Sequence, residues 1–144
     1  MDPWYDHLKE VHAYWRWIIL ALAVIVVIKY LAGWLGKKNF NAWDNRLSLF
    51  FVTAMDIQLL FGLALYFFLS PVTTHALKSA ENIMSDAGVR FAVVEHPFTM
   101  LLAIVLAHVG RIMVKKMPTD DTKFKRGTIL FGLSLLFMLA RMPW

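Results

Sequence analysis

WIILALAVIVVIKYLAGWL, residues Trp17 to Leu35, contains one charged side chain, Lys29. At about 1.5 Å per residue the run reaches about 28 Å, close to the ~30 Å hydrocarbon core of a bilayer. Three further apolar runs follow, from Leu47 to Leu69, Phe98 to Val114 and Gly127 to Ala140, separated by charged segments. The last is short for a bilayer and must lean on its flanking arginines. This pattern predicts an all-α protein: a four-helix transmembrane up-down bundle in one integral membrane domain, residues 1–144, with spans near 17–35, 47–69, 98–114 and 127–140.

Composition points the same way. Hydrophobic residues make up 59% of the 144 positions, and the mean hydropathy is +0.56, more than a soluble domain of this size would bury. No separate soluble domain fits in the remaining length. The chain has no cysteine, which excludes disulfides, iron–sulfur clusters, thiolate-ligated haem and covalent c-type haem. The net charge of +5 would suggest nucleic acid in a soluble protein, but here the basic residues sit in short loops beside membrane runs, so no nucleic-acid partner is expected.

Those loops orient the chain. Lys37, Lys38 and Arg46 follow the first run, and Lys115, Lys116, Lys123, Lys125 and Arg126 lie between the third and fourth. The opposite side carries only Lys9, Arg16, Lys78, Arg90 and Arg141. The positive-inside rule then places both basic loops in the cytoplasm and both termini on the outer side of a bacterial cytoplasmic membrane. Trp15, Trp17, Trp34, Trp43 and Trp144 fall where an aromatic belt would anchor. Lys29 and the lack of a small-residue cleavage site argue for retention of the first run.

Boundaries follow from local chemistry. Asp2-Pro3 reads as a cap and first-turn proline, which would make the first helix unusually long and carry His7, His12 and Arg16 on an extended outer turn. The second helix is expected to start after Asp44-Asn45 and stop at Ser70-Pro71. The segment from Pro71 to Glu95 is the longest polar stretch, with a cap-like Ser85-Asp86 and a run from Ala87 that extends the third helix outward to a kink or start at Pro97. Asp120 and Asp121 suit the start of the fourth helix. A faint repeat relates Ala21–Lys38 to Leu101–Lys116, with His108 in place of Lys29.

Polar residues at membrane depth or at its edge need a reason, because they are costly in lipid. His12 on the first helix and His96 on the third share the outer edge and could meet across the bundle interior as two axial ligands of a haem iron. Arg16, one turn below His12, and Arg141, at a similar depth, could each neutralise a propionate. Gly62 could let a flat macrocycle approach the backbone. The same residues also suit plainer roles: histidines bonded to headgroups or caps, Arg16 paired with Glu95, phenylalanines in lipid contact or core packing.

A second, inner cluster combines Lys29, Asp56 and His108. Counted from the cytoplasmic ends, Asp56 lies about 13 Å into its span and the other two about 9 Å, close enough for a buried ion pair, a structural hydrogen bond or a proton path. His96 and His108 are about 18 Å apart along one helix and cannot ligate the same iron. Arg111 is expected to snorkel to the cytoplasmic surface, which is also the plainer alternative for Lys29.

The chain resembles a family of small four-span bacterial membrane proteins labelled cytochrome b-like or uncharacterised. The resemblance covers most of the chain and rests on His12 with Arg16-Trp17, on Leu31-Ala32-Gly33-Trp34-Leu35-Gly36-Lys37-Lys38, on Gln58-Leu59-Leu60-Phe61-Gly62, on Arg90 with Glu95-His96, and on Pro143-Trp144. It implies b-type haem, with His12 and His96 as axial ligands. Similar chains are associated with a histidine in the region of Asp56, so no second cofactor is implied there. The expected function is electron transfer through one haem b near the outer face, with lipid around it and quinone or a respiratory complex subunit as partner. A homodimer is compatible with this. Two other classes stay open: a cofactor-free accessory or assembly subunit, and a small transporter or proton conductor using Asp56 and His108. An electron-transfer or accessory protein is expected before a stand-alone enzyme, and a membrane hydrolase least, since neither a Ser-His-Asp arrangement nor a metalloprotease His-Glu-x-x-His spacing occurs.

Overall fold

A computed structural model describes residues 3–79 and 83–143. Five helices account for nearly all of the described chain: α1 Pro3–Leu35, α2 Ala42–Leu69, α3 Pro71–Ser79, α4 Ala87–Lys116 and α5 Asp120–Ala140. There is no strand among the described residues. α1, α2 and α4 are long and apolar enough to cross a membrane. The apolar part of α5, Gly127 to Ala140, covers only about 21 Å. The four long helices pack in a ring, α1 on α2, α2 on α4, α4 on α5 and α5 back on α1, so that α1 and α4 are diagonal.

Caps explain where the helices begin. α2 starts four residues earlier than expected: Asn41 Oδ1 accepts from the Asp44 amide at 3.1 Å, and Asp44 Oδ2 accepts from the Asn41 amide at 2.9 Å. Thr119, rather than the aspartates, caps α5 through a reciprocal arrangement with Thr122. Asp120 and Asp121 occupy its first turn, where the helix dipole favours them. Asp86 caps α4 as expected, accepting from the Gly88 and Val89 amides at 2.9 and 3.1 Å. The proposed cap Asp2 and the anchor Trp144 lie outside the described residues. α1 does run 33 residues, about 50 Å, well beyond the hydrocarbon width.

Prolines shape the end of the bundle away from the basic loops. α2 closes with a wide turn in which the Ser70 amide bonds to Leu65 O at 2.8 Å, and extended backbone at Ser70 then leads to Pro71. Pro71 opens α3, so the polar stretch is in part a helix rather than a loop. In α4 the wide turn falls at Phe91–Glu95, just before Pro97. Pro97 has no N–H for Val93 O four residues back; the Tyr66 hydroxyl of α2 donates to that carbonyl at 2.9 Å.

In lipid, helix association depends on packing and interhelical hydrogen bonds rather than on the hydrophobic effect. The half of the bundle beside the two basic loops supplies both. Tyr30, Phe51, Phe124 and Phe131 are fully buried and meet edge to face, with ring centroids 5.5 to 5.7 Å apart. The Tyr30 ring lies directly on Gly127, and a Cβ at Gly33 would come within 2.5 Å of Phe124. Ser134 donates to Ala103 O at 2.7 Å, joining α5 to α4.

A buried polar tie closes the same end. Asp44 pairs with Lys29 at 2.7 Å, and Tyr30 donates to Asp44 O at 2.6 Å. Arg111 does not snorkel: it is 8% exposed and donates to Asn45 O, Asn45 Oδ1 and Ser48 Oγ at 3.0, 2.6 and 2.8 Å. Lys29 therefore belongs to this tie and not to the Asp56–His108 level. The opposite rim carries a second pairing. Glu95 binds Arg90 at 2.7 Å and Arg141 at 3.5 Å, whereas Arg16, expected as an alternative partner, donates to Pro143 O at 2.9 Å.

Candidate functional site

The half of the bundle away from the basic loops is open inside. Both wide turns fall at this end, and α1, α2 and α4 line a half-open cavity of about 820 Å³. The size suits a cofactor or other small molecule. Its walls are mainly apolar, with Met55, Met100, Met138 and Met142 among them, and a few polar groups converge on it. Four of its wall residues, Lys9, His12, Ala13 and Arg16, come from one face of α1, spaced as one helix stripe requires.

His12 and His96 both line this cavity and approach across it, with ring centroids 6.3 Å apart and planes at 85°. The His96 ring is fixed by two neighbours. Its Nδ1 bonds to Arg141 O at 2.8 Å, and Phe91 stacks on it at 5.7 Å. A carbonyl can only accept, so Nδ1 carries the proton and Nε2 presents its lone pair. That is the arrangement typical of a metal-binding histidine whose other nitrogen is held by a carbonyl. His12 is held by its backbone: Gln58 Nε2 donates to His12 O at 2.6 Å. The His12 Nδ1 atom is buried and unpartnered.

The residues can be tested against a haem. Nitrogen-to-metal distances of about 2.0 Å on opposite sides of an iron would set two imidazole centroids roughly 6 Å apart, and the observed separation fits. The unpartnered His12 nitrogen and the free His96 Nε2 supply two imidazole donors, and the cavity supplies an apolar enclosure. Edge-to-face packing of two aromatic rings covers the same range of separations, so the fit is permissive.

Of the other expected site residues, Arg16 and Gly62 line the same cavity and Arg141 does not. Arg16 is on the cavity wall, with its Nε buried and unpartnered and its guanidinium 5.1 Å from the Trp17 ring centre. Arg141 contributes its carbonyl to His96 while its guanidinium turns to Glu95. Gly62 lines the cavity, and the nearest atom to its missing Cβ would be His12 Cε1 at 3.5 Å, so the glycine also makes room for that ring. Tyr5, Lys9, Tyr66 and Phe91 join the wall without having been singled out from the sequence. For Lys9 a signal was present: it stands three residues before His12 and seven before Arg16, on their face.

The inner pair does form. His108 Nε2 and Asp56 Oδ1 are 2.7 Å apart, bridging α4 and α2. The expectation of burial fails, because their side chains are 46% and 47% exposed and face away from the bundle interior. Lys29 is elsewhere, on Asp44.

No family model, curated protein or solved structure matches this chain.

Proposed function

We propose that the chain is a four-span protein of the bacterial cytoplasmic membrane that holds one b-type haem in its outer cavity and transfers electrons, as its resemblance to the cytochrome b-like proteins implies. The observation that carries this reading is the His12–His96 pair: two imidazoles from diagonal helices meet in an apolar cavity, one with its protonated nitrogen tied to a carbonyl. In this reading both termini lie outside, the basic loops are cytoplasmic, and α5 crosses the bilayer as part of the bundle despite its short apolar run.

The haem would supply one-electron chemistry; the chain's own residues would ligate, bury and orient it. His12 and His96 are the ligands. Arg16, with Lys9 two turns outward, offers positive charge to carboxylate groups at the cavity mouth. The methionine and aliphatic wall would give the bound group a largely apolar surround, which would help to set its potential. A membrane-soluble quinone or a respiratory complex subunit is the partner suited to an electron carrier of this kind.

The test is a dithionite-reduced minus oxidised absorption spectrum of the detergent-purified chain, with a pyridine haemochromogen assay, after expression with adequate haem. A sharp reduced α-band and near-stoichiometric haem b support the reading. A colourless, folded protein overturns it and leaves the cofactor-free accessory subunit in front.

A further inference from the structure

We propose that the outward face of α2 and α4 is where a second copy of this chain docks, with Asp56 and His108 of each copy closing one hydrogen-bonded ring across a two-fold axis.

The argument begins with an unsatisfied pair. Asp56 and His108 lie well inside two of the helices that are long and apolar enough to cross a membrane, and both are nearly half exposed on the side that lipid would contact. Their mutual hydrogen bond uses one carboxylate oxygen and one ring nitrogen. The other oxygen and the other nitrogen have no partner among the described residues, and hydrocarbon offers none. The surface around them is otherwise apolar. Leu60 on α2 and Leu101, Val105 and Ile112 on α4 are exposed, which lipid accepts readily. The polar pair alone calls for cover.

The geometry favours the same chain as that cover. The pair holds one acceptor group and one donor ring side by side at one depth, on neighbouring helices. Rotation by 180° about the membrane normal places His108 of one copy opposite Asp56 of the other, and the reverse. The free His108 Nδ1–H of each copy can then donate to the free Asp56 oxygen of its partner. A self-complementary patch of this kind is what a closed isologous dimer needs, and membrane helices commonly associate through such side-chain hydrogen bonds. A partner with a single acidic or basic group would satisfy half of the pair. This reading needs only α2 and α4 as spans and does not depend on haem.

Because the chain has no cysteine, single cysteines report proximity without background. Thr53→Cys lies one turn from Asp56 on its exposed side. Ile129→Cys, exposed on α5, is the control. Each full-length variant is treated in membranes with a short bis-maleimide. The expected result is a species of doubled mass for Thr53→Cys and none for Ile129→Cys. Adding Asp56→Leu or His108→Leu to Thr53→Cys should lower the yield at least tenfold. Adding the exchange Asp56→His with His108→Asp should restore it, because the ring keeps two carboxylates and two imidazoles, and this recovery separates lost docking from lost folding. The proposal is overturned if Thr53→Cys stays monomeric, if both positions cross-link alike, if the leucine variants cross-link undiminished, or if the adduct contains a different protein.

Discussion

His12 and His96 are the two proposed ligands, and their variants test the assignment. With His12 or His96 as ligand, His12→Ala and His96→Ala each abolish the reduced α-band. Asp56→Asn and His108→Ala, outside the cavity, leave it near its full height. Full haem content in both alanine variants would remove the assignment even if the protein is a cytochrome. Arg111 is a structural residue in the same register. It gives three hydrogen bonds to α2 from a buried position, and Arg111→Leu leaves Asn45 and Ser48 without their partner. A loss of about 1 to 3 kcal/mol is expected, read as a lower unfolding midpoint in detergent. A lysine at this position cannot make the same fork of bonds and should recover only part of it.

At the scale of elements, proline and glycine control how the helices fit. Pro97 frees Val93 O, and Tyr66 takes it. A double-mutant cycle isolates that exchange: Tyr66→Phe should destabilise the parent by about 1 kcal/mol and the Pro97→Ala background by clearly less, since an alanine amide can bond to Val93 O itself. Equal effects in both backgrounds would show that the hydroxyl serves another partner. Gly127 and Gly132 make a second contrast on one helix. A methyl at Gly127 meets the Tyr30 ring, whereas nothing lies within 4 Å of one at Gly132. Gly127→Ala should therefore cost about 1 to 3 kcal/mol through overpacking, and Gly132→Ala should be neutral or gain up to about 1 kcal/mol in helix propensity. Thermal unfolding of the two variants side by side checks both signs.

For the whole molecule, topology is the open question that the loops themselves can answer. In the proposed orientation, cysteines introduced at Asn39 and Thr119 react with a membrane-impermeant maleimide only after the membrane is opened from the cytoplasmic side, and one at His75 reacts from outside. All three positions are exposed. Labelling of Asn39→Cys and Thr119→Cys on opposite sides would show that α2 and α4, the long helices between them, do not both cross as drawn. Much of this architecture was legible before any coordinates. Helical class, the long first helix, the stop at Ser70-Pro71 and the cap at Asp86 follow from hydropathy runs and from chemistry within a few residues, which tertiary packing does not alter. What the sequence could not decide was azimuth. Hydropathy places a residue at a depth, but a helix that is apolar nearly all round gives little sign of which side faces the bundle. The packing of the aromatic core settled those rotations. It turned Arg111 inward to Asn45 and Ser48, sent Lys29 to Asp44, and left Asp56 and His108 on the outside. The meeting of His12 with His96 is of the same kind: sequence set each at the outer edge, and only the diagonal placement of α1 and α4 brought the two rings together across a cavity.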